Sequence, residues 1–296
     1  MTTMKKISAL VTAALIATAP AVALAPLSTA QVQDNNPALQ QVVEADEAIA
    51  PLGERTVISA GHADLGPMFV DGQLQFLVRD DTHTPAVWRH LEDVVFEVSD
   101  AAKQTLPETN DFDFTGAKPG SDVWVVPQTE VAGVPWLGWN SQAPSLLERS
   151  TSGMSLEYGG HSGPGSFSLF VQPGGFHEPQ QLWNSSTSGT QSMWVEPNTH
   201  THANWVFTEA GVQLVNVRVN VEDTEGTVHT DEQMLRFAVS TDASQAFDAE
   251  FDTVFKDAAG GDRAQTSTST GLIAGVGIGV LVLAAIAFVL VRGRKK

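Results

Sequence analysis

The strongest constraint on this chain lies between Thr56 and Ser240, where the apolar runs are short and turn residues separate them. Runs at Gln73 to Val78, Val94 to Val98, Val123 to Val126, Ser166 to Val171, Met193 to Val195, Asn204 to Phe207, Val212 to Val221 and Met234 to Val239 have strand length. Between them stand Asp71-Gly72, Lys118-Pro119-Gly120, Gly163-Pro164-Gly165 and Pro173-Gly174-Gly175. Strands at this spacing, without a long helical period among them, predict an all-β domain: an antiparallel β-sandwich, Ig-like or jelly-roll-like. A span of about 185 residues is enough for one core. Two short helices are expected beside it. One covers Ser99 to Leu106, stopped by Pro107. The other covers 241–257, where Phe247, Phe251, Val254 and Phe255 fall on one helical face and would cover the domain at its C-terminal end.

The two ends read differently. Lys5 and Lys6, the apolar run Ile7 to Leu24 and the small residues Ser28-Thr29-Ala30 have the pattern of a secretory signal peptide over 1–30. Residues 31–55 read as an acidic, mobile lead-in. After a short stalk at 258–270, Gly271 to Val291 carries no charge over 21 residues and is followed by Arg292, Arg294, Lys295 and Lys296. That is a single transmembrane helix with a basic cytoplasmic tail at 292–296. The expectation is a single-pass protein of the cell membrane with its N-terminal domain outside. Gly271, Gly275 and Gly279, four apart, are a candidate helix-pairing face, although glycine is common in membrane helices.

Outside the signal and tail, ten basic residues face 34 acidic ones, a net charge of −24. Such a surface repels nucleic acid, which is excluded as a partner. It attracts cations diffusely, but a diffuse field is not a site. The chain has no cysteine, so disulfides, lipid attachment to cysteine and thiolate metal sites are all excluded.

The eight histidines carry the chemistry. In an extended segment side chains alternate between faces, so His200 and His202 point the same way, roughly 6.5–7 Å apart along the strand. Two imidazoles on one sheet face are half of a divalent metal site. Gly61-His62-Ala63-Asp64 contains a second i, i+2 pair, in which the carboxylate can ligate or orient the ring. His161 lies in the glycine-rich stretch Gly159 to Gly165, where a backbone can approach a ligand closely. With no cysteine, a site of His200, His202, His62 and His161 fits zinc, with manganese or copper as alternatives. His83, beside Asp80 and Asp81, is a reserve candidate. Neutral imidazoles bind near pH 7 and release as they protonate toward roughly pH 5–6. Any one loop histidine can equally be a plain hydrogen-bonded residue.

Val134-Pro135-Trp136-Leu137-Gly138-Trp139 sets two aromatics close together, as a stacking platform for a sugar would require. The competing reading is that the seven tryptophans fill a β-core. No Gly-x-Ser-x-Gly, His-Glu-x-x-His or P-loop pattern occurs, so nothing announces an enzyme.

The stretches Gly61-His62-Ala63-Asp64, Val87-Trp88-Arg89-His90-Leu91-Glu92-Asp93-Val94-Val95-Phe96, Trp136-Leu137-Gly138-Trp139, Gly163-Pro164-Gly165-Ser166-Phe167, Leu182-Trp183-Asn184-Ser185 and His200-Thr201-His202-Ala203-Asn204-Trp205-Val206-Phe207 occur in that order. Together, over about Thr56 to Val221, they resemble the actinobacterial surface-anchored domain also called choice-of-anchor M. The resemblance implies a Gram-positive surface protein working with metal-type ABC transporter components, including a substrate-binding protein. No Leu-Pro-x-Thr-Gly sortase signal precedes Gly271, so the membrane helix itself is the expected anchor. Where that pattern carries a tyrosine soon after Gly211, this chain has Val212-Gln213-Leu214. The combined expectation is an extracellular protein that captures zinc and passes it to an ABC importer. The alternative is a surface recognition module that binds glycan, haem or a host protein through Trp136 and Trp139.

Overall fold

A computed structural model describes residues 41–150, 152–174, 177–251 and 255. The leader at 1–30, the stalk, the apolar span 271–291 and the basic tail lie outside the described residues. Among the described residues no helix is long and apolar enough to cross a membrane.

In chain order the strands are β1 (Ala48–Ile49), β2 (Thr56–Ile58), β3 (Gly61–Val70), β4 (Gln73–Asp80), β5 (Val87–His90), β6 (Val94–Val98), β7 (Lys103–Thr105), β8 (Asp122–Val126), β9 (Pro135–Asn140), β10 (Met154–Ser162), β11 (Phe167–Val171), β12 (Gln180–Asn184), β13 (Gln191–Val195), β14 (His200–His202), β15 (Asn204–Phe207), β16 (Gly211–Glu222) and β17 (Val228–Val239). One short helix, α1 (Pro144–Arg149), follows β9. The fold is all-β, as the turn spacing required.

The strands form three sheets, ordered β1-β5-β4-β3-β9-β14, β13-β10-β16-β17-β6-β2 and β12-β11-β15-β8-β7. Their pairing is mixed, which corrects the expectation of a purely antiparallel sandwich. β1 with β5, β2 with β6, β3 with β9 and β6 with β17 run parallel. Each of these pairs is separated by more than thirty residues of chain, so no local turn signal could report it.

The core is built from the inward alternates of all three sheets. Val215, Val217, Val219 and Val221 of β16 are fully buried, as their period of two demands. An aromatic cluster of Phe167, Trp205, Phe207 and Phe237 joins the sheets, with ring centroids 4.9–6.1 Å apart. At roughly 1.5–3 kcal/mol per fully buried large apolar side chain, this layer supplies much of the driving force for folding.

Three local expectations change. The helix expected over Ser99 to Leu106 is a single 3-10 turn, Asp100–Ala102, capped by the Ser99 hydroxyl. The next residues, β7, pair with β8 instead, because strand pairing there competes with helix propagation. The C-terminal helix over 241–257 is likewise a 3-10 turn at Ala243–Gln245 with no helix through 251; 252–254, 256 and 257 lie outside the described residues. Its residues nonetheless cover the domain: Ala246 and Phe247 pack against Val95 and Ala238, and Arg55 lies over the Phe247 ring and pairs with Asp248. The lead-in is not mobile throughout, since from 41 it is folded onto the first sheet. Val43 is buried against Leu77 and Trp88, β1 pairs with β5, and Glu47 hydrogen-bonds two side chains of that sheet.

Candidate metal centre

The first sheet has two chemically opposite faces. Ala63, Leu65, Leu137 and Trp139 point into the main core. Their alternates His62, Asp64, Trp136 and Gly138 therefore share the other face, and register sets them beside the pair on β14. Asp64 and His202 both lie opposite Gly138, one from each flank, while His62 pairs with Trp136 and His200 with Asn140. The chain leaves this sheet at buried Ala203 and enters the third as β15, so Trp205 and Phe207 anchor the strand that presents the histidines.

Strands β3 and β14 stand two strand spacings apart, roughly 10 Å. Their side chains meet by leaning over β9, which only a glycine at 138 allows. A Cβ there would lie 2.6 Å from the Thr201 carbonyl oxygen, 2.7 Å from Asp64 Oδ1 and 2.9 Å from His202 Cε1. Gly138 is thus a requirement of the site, although it contributes no ligand.

The result is a group of four: His62, Asp64, His200 and His202. The three Nε2 atoms lie 3.0–3.2 Å from one another. Asp64 presents Oδ1 and Oδ2 at 3.0 and 2.9 Å from His200 Nε2, with 3.6 Å to the nearer oxygen for each of the other two. The four side chains are 9, 0, 4 and 2 % exposed in the order given above.

This triangle of nitrogens cannot be satisfied by hydrogen bonds alone. A neutral imidazole Nε2 is either donor or acceptor, so among three mutually close Nε2 atoms at least two have the same character and repel. A cation at the centre removes the conflict by accepting all three lone pairs. For Zn–N of about 2.0–2.1 Å, tetrahedral ligand atoms stand about 3.3–3.4 Å apart. The observed separations fit that ion with an adjustment of a few tenths of an ångström. The group can therefore hold a metal ion.

Surrounding contacts fix the ligands. Trp136 stacks on His202 with centroids 4.3 Å apart and meets His62 edge-on at 5.1 Å. Asn140 Nδ2 donates to Asp64 at 3.3 Å. His62 Nδ1 lies 2.9 Å from Asp81 Oδ2, a carboxylate contact that orients a ligating ring. The Nδ1 atoms of His200 and His202 are buried without a hydrogen-bond partner among the described residues. The Leu137 carbonyl favours a protonated His202 through its dipole, yet falls short of hydrogen-bond geometry.

Electrostatics keep His202 and Asp64 in ligating form. Burial pushes the His202 imidazole down to about 3, against the opposing pull of Asp64, so it is neutral at physiological pH. Burial alone would raise Asp64, but the hydrogen bond from His200 and the neighbouring imidazoles outweigh it and hold the carboxyl below its usual range. His202 therefore does not take up a proton at the pH 5–6 expected for release.

The structure brings His62, His200 and His202 together and leaves His161 apart. His161 sits on β10 in the second sheet, with Nε2 2.6 Å from Gln213 Oε1 and its ring against Phe167. The loop reading fails because Gly159 to Ser162 continue the strand, so the ring is a half-buried, hydrogen-bonded residue of that strand. His83 is largely exposed, 3.9 Å from Asp80. The fourth member of the group is Asp64, whose spacing from His62 repeats that of the His200/His202 pair. Trp136 and Trp139 are buried, one as the wall of the metal group and one in the core, so neither offers a platform to a sugar.

Searches against protein-family models, curated proteins and solved structures gave no match to this chain.

Proposed function

We propose that this protein captures one divalent transition ion at His62, Asp64, His200 and His202, zinc before manganese or copper, and passes it to an ABC importer from the outer face of the cell membrane. The observation that carries the reading is the convergence of three Nε2 atoms and one carboxylate on a common centre. Three nitrogens and one oxygen in a tetrahedral set favour zinc. Manganese prefers six oxygen-rich ligands, and cuprous ion prefers sulfur.

Charge supports a divalent ion. Asp64 lies within the group, and behind it Asp81 and Glu47 pair with one cation, Arg79, so with neutral imidazoles these side chains sum to a formal charge of −2. Four protein ligands leave no position for a reacting water, which favours binding over catalysis. The importer, its substrate-binding component and the membrane anchor are inferred from the resemblance and from the apolar span at 271–291. Buried Trp136 and Trp139 give the glycan, haem or host-protein alternative no exposed aromatic face at that position.

Isothermal titration of the tag-free, chelator-stripped chain with zinc, manganese and copper tests the reading. The expected result is tight one-to-one zinc binding that is lost in a His200→Ala/His202→Ala variant. Weak, multi-site binding shared by both proteins would leave only the acidic surface to account for it.

A further inference from the structure

Among the described residues, His62 is the one of the three histidines whose second nitrogen has a hydrogen-bond partner. That contact begins a chain of contacts leading away from the site. Asp81 also accepts from Arg79 Nη1. The rest of the Arg79 fork, Nε and Nη2, donates to Glu47 Oε2 and Oε1 at 2.7 and 2.5 Å. Glu47 Oε2 also accepts from Trp88 Nε1 at 2.8 Å. Glu47 belongs to the segment that enters the domain from its N-terminal side, and it lies 32 residues from Arg79 in sequence.

We infer that residues 41–50 are the closing element of the metal centre, and that Glu47, Arg79 and Asp81 are positioning residues that lock His62 onto the ion. This inference rests on the metal reading above. With Nε2 facing the ion, the His62 proton must sit on Nδ1, and Asp81 is the acceptor that holds it there. Asp81 in turn is fixed by a guanidinium whose planar fork is filled from the other side by Glu47, a two-point contact that sets its orientation. Without Glu47, Arg79 loses the contact that aims Nη1 at Asp81, and the ring of His62 is free to turn.

Two features make this arrangement a gate rather than a fixed wall. First, His62 is the most exposed of the four ligands, at 9 % of its side chain, so the site meets solvent at the residue the segment controls. Second, the segment's hold on the domain is concentrated at Glu47. β1 is two residues long and forms the outermost strand of its sheet, supported by one further backbone bond from Ala50 to Trp88 and by the burial of Val43 and Ala50. Displacing 41–50 therefore breaks the Glu47 contacts to Arg79 and Trp88 together with this short pairing, and removes the support of one ligand. A metal acceptor that engages this segment would open the site without unfolding the domain.

The test is the rate at which the zinc-loaded full chain yields its ion to excess chelator in stopped flow. Glu47→Ala and Asp81→Asn are expected to release zinc about 10- to 100-fold faster than wild type, the usual cost of removing a group behind a metal ligand. Glu54→Gln is the control: its partner Arg89 pairs with Asp80, whose carboxylate is not the one that holds the His62 ring, so release stays at the wild-type rate. A second measurement needs no variant. Amide exchange across 41–50 is expected to be at least tenfold slower in zinc-loaded than in chelator-stripped wild type. Wild-type release rates in both variants, or equal exchange with and without zinc, overturn the gate while the titration of His200→Ala/His202→Ala still reports on the site. Failure of the wild-type chain to bind zinc overturns both.

Discussion

The two faces of the first sheet are built from the same strands, residue by residue, yet they obey different rules. On the inner face Leu65, Leu137 and Trp139 meet other apolar groups, and what matters is volume. On the outer face Asp64, Gly138 and His202 form one row across three strands, and what matters is position to within a few tenths of an ångström. Adjacent residues such as Leu137 and Gly138 should therefore fail in different ways. A packing defect spreads its cost over the whole domain, whereas a misplaced ligand costs the site alone.

The largest effect expected is at Gly138. Gly138→Ala places a methyl against Asp64, His202 and the Thr201 carbonyl, and zinc binding should disappear from the titration. With it goes the metal-linked stabilisation, about 4 kcal/mol for a free ion at 1,000 times its Kd, read as the difference in melting temperature between loaded and stripped protein. Next is Leu137→Ala, one residue away and fully buried in the core. It should cost about 2–5 kcal/mol in denaturant unfolding of the stripped protein while leaving one zinc per chain. If the two variants lose binding and stability in the same proportion, the faces are not independent.

A smaller change is expected at Trp136, which belongs to the outer row but ligates nothing. Trp136→Leu removes the ring stacked on His202 and should weaken zinc affinity about tenfold, in the range seen for groups that support a ligand. The smallest effect sharpens the comparison from the far side of the molecule. Burial lowers the pKa of His161, so the unfolded chain takes up a proton near pH 6.5 before the folded one does. His161 thus contributes a stability that is fully present above about pH 6.5 and declines as pH falls toward the folded value. In stripped protein, urea midpoints from pH 7.5 to 5 should fall less in His161→Gln than in wild type, with zinc stoichiometry at pH 7.5 unchanged. A loss of zinc in His161→Gln would return that residue to the site.

Much of this was legible in the sequence because alternation reports which residues share a face. The runs around Val215 to Val221, the His200/His202 pair and the His62/Asp64 spacing all rest on a period of two that survives in the fold. What alternation cannot report is which strands lie side by side. The parallel pairing of β3 with β9 brings His62 to within reach of β14 across 138 residues of sequence, and no local signal encodes it. For the same reason Gly138 read as part of a Trp-Leu-Gly-Trp aromatic stretch, although its role is to leave space between two flanking strands. His161 was misread because its glycine neighbours suit a loop as well as a bulged strand, and the register shift between Tyr158 and Gly160 is where those glycines are used. The core reading of the tryptophans holds for Trp88, Trp139, Trp183 and Trp205, whereas Trp136 is buried against the histidines on the outer face and Trp194 is 55 % exposed on β13. Helix α1 was missed since six residues opening on a proline carry too little periodicity to stand out.

The most direct test of the outer face is X-ray absorption at the zinc edge on the protein loaded with one equivalent. A four-coordinate nitrogen and oxygen shell at about 2.0–2.1 Å, with the multiple scattering of three imidazoles, is the expected result. A five- or six-coordinate shell of oxygens with one imidazole or none would mean that the acidic surface holds the ion, and that the row built on Gly138 is not a metal centre.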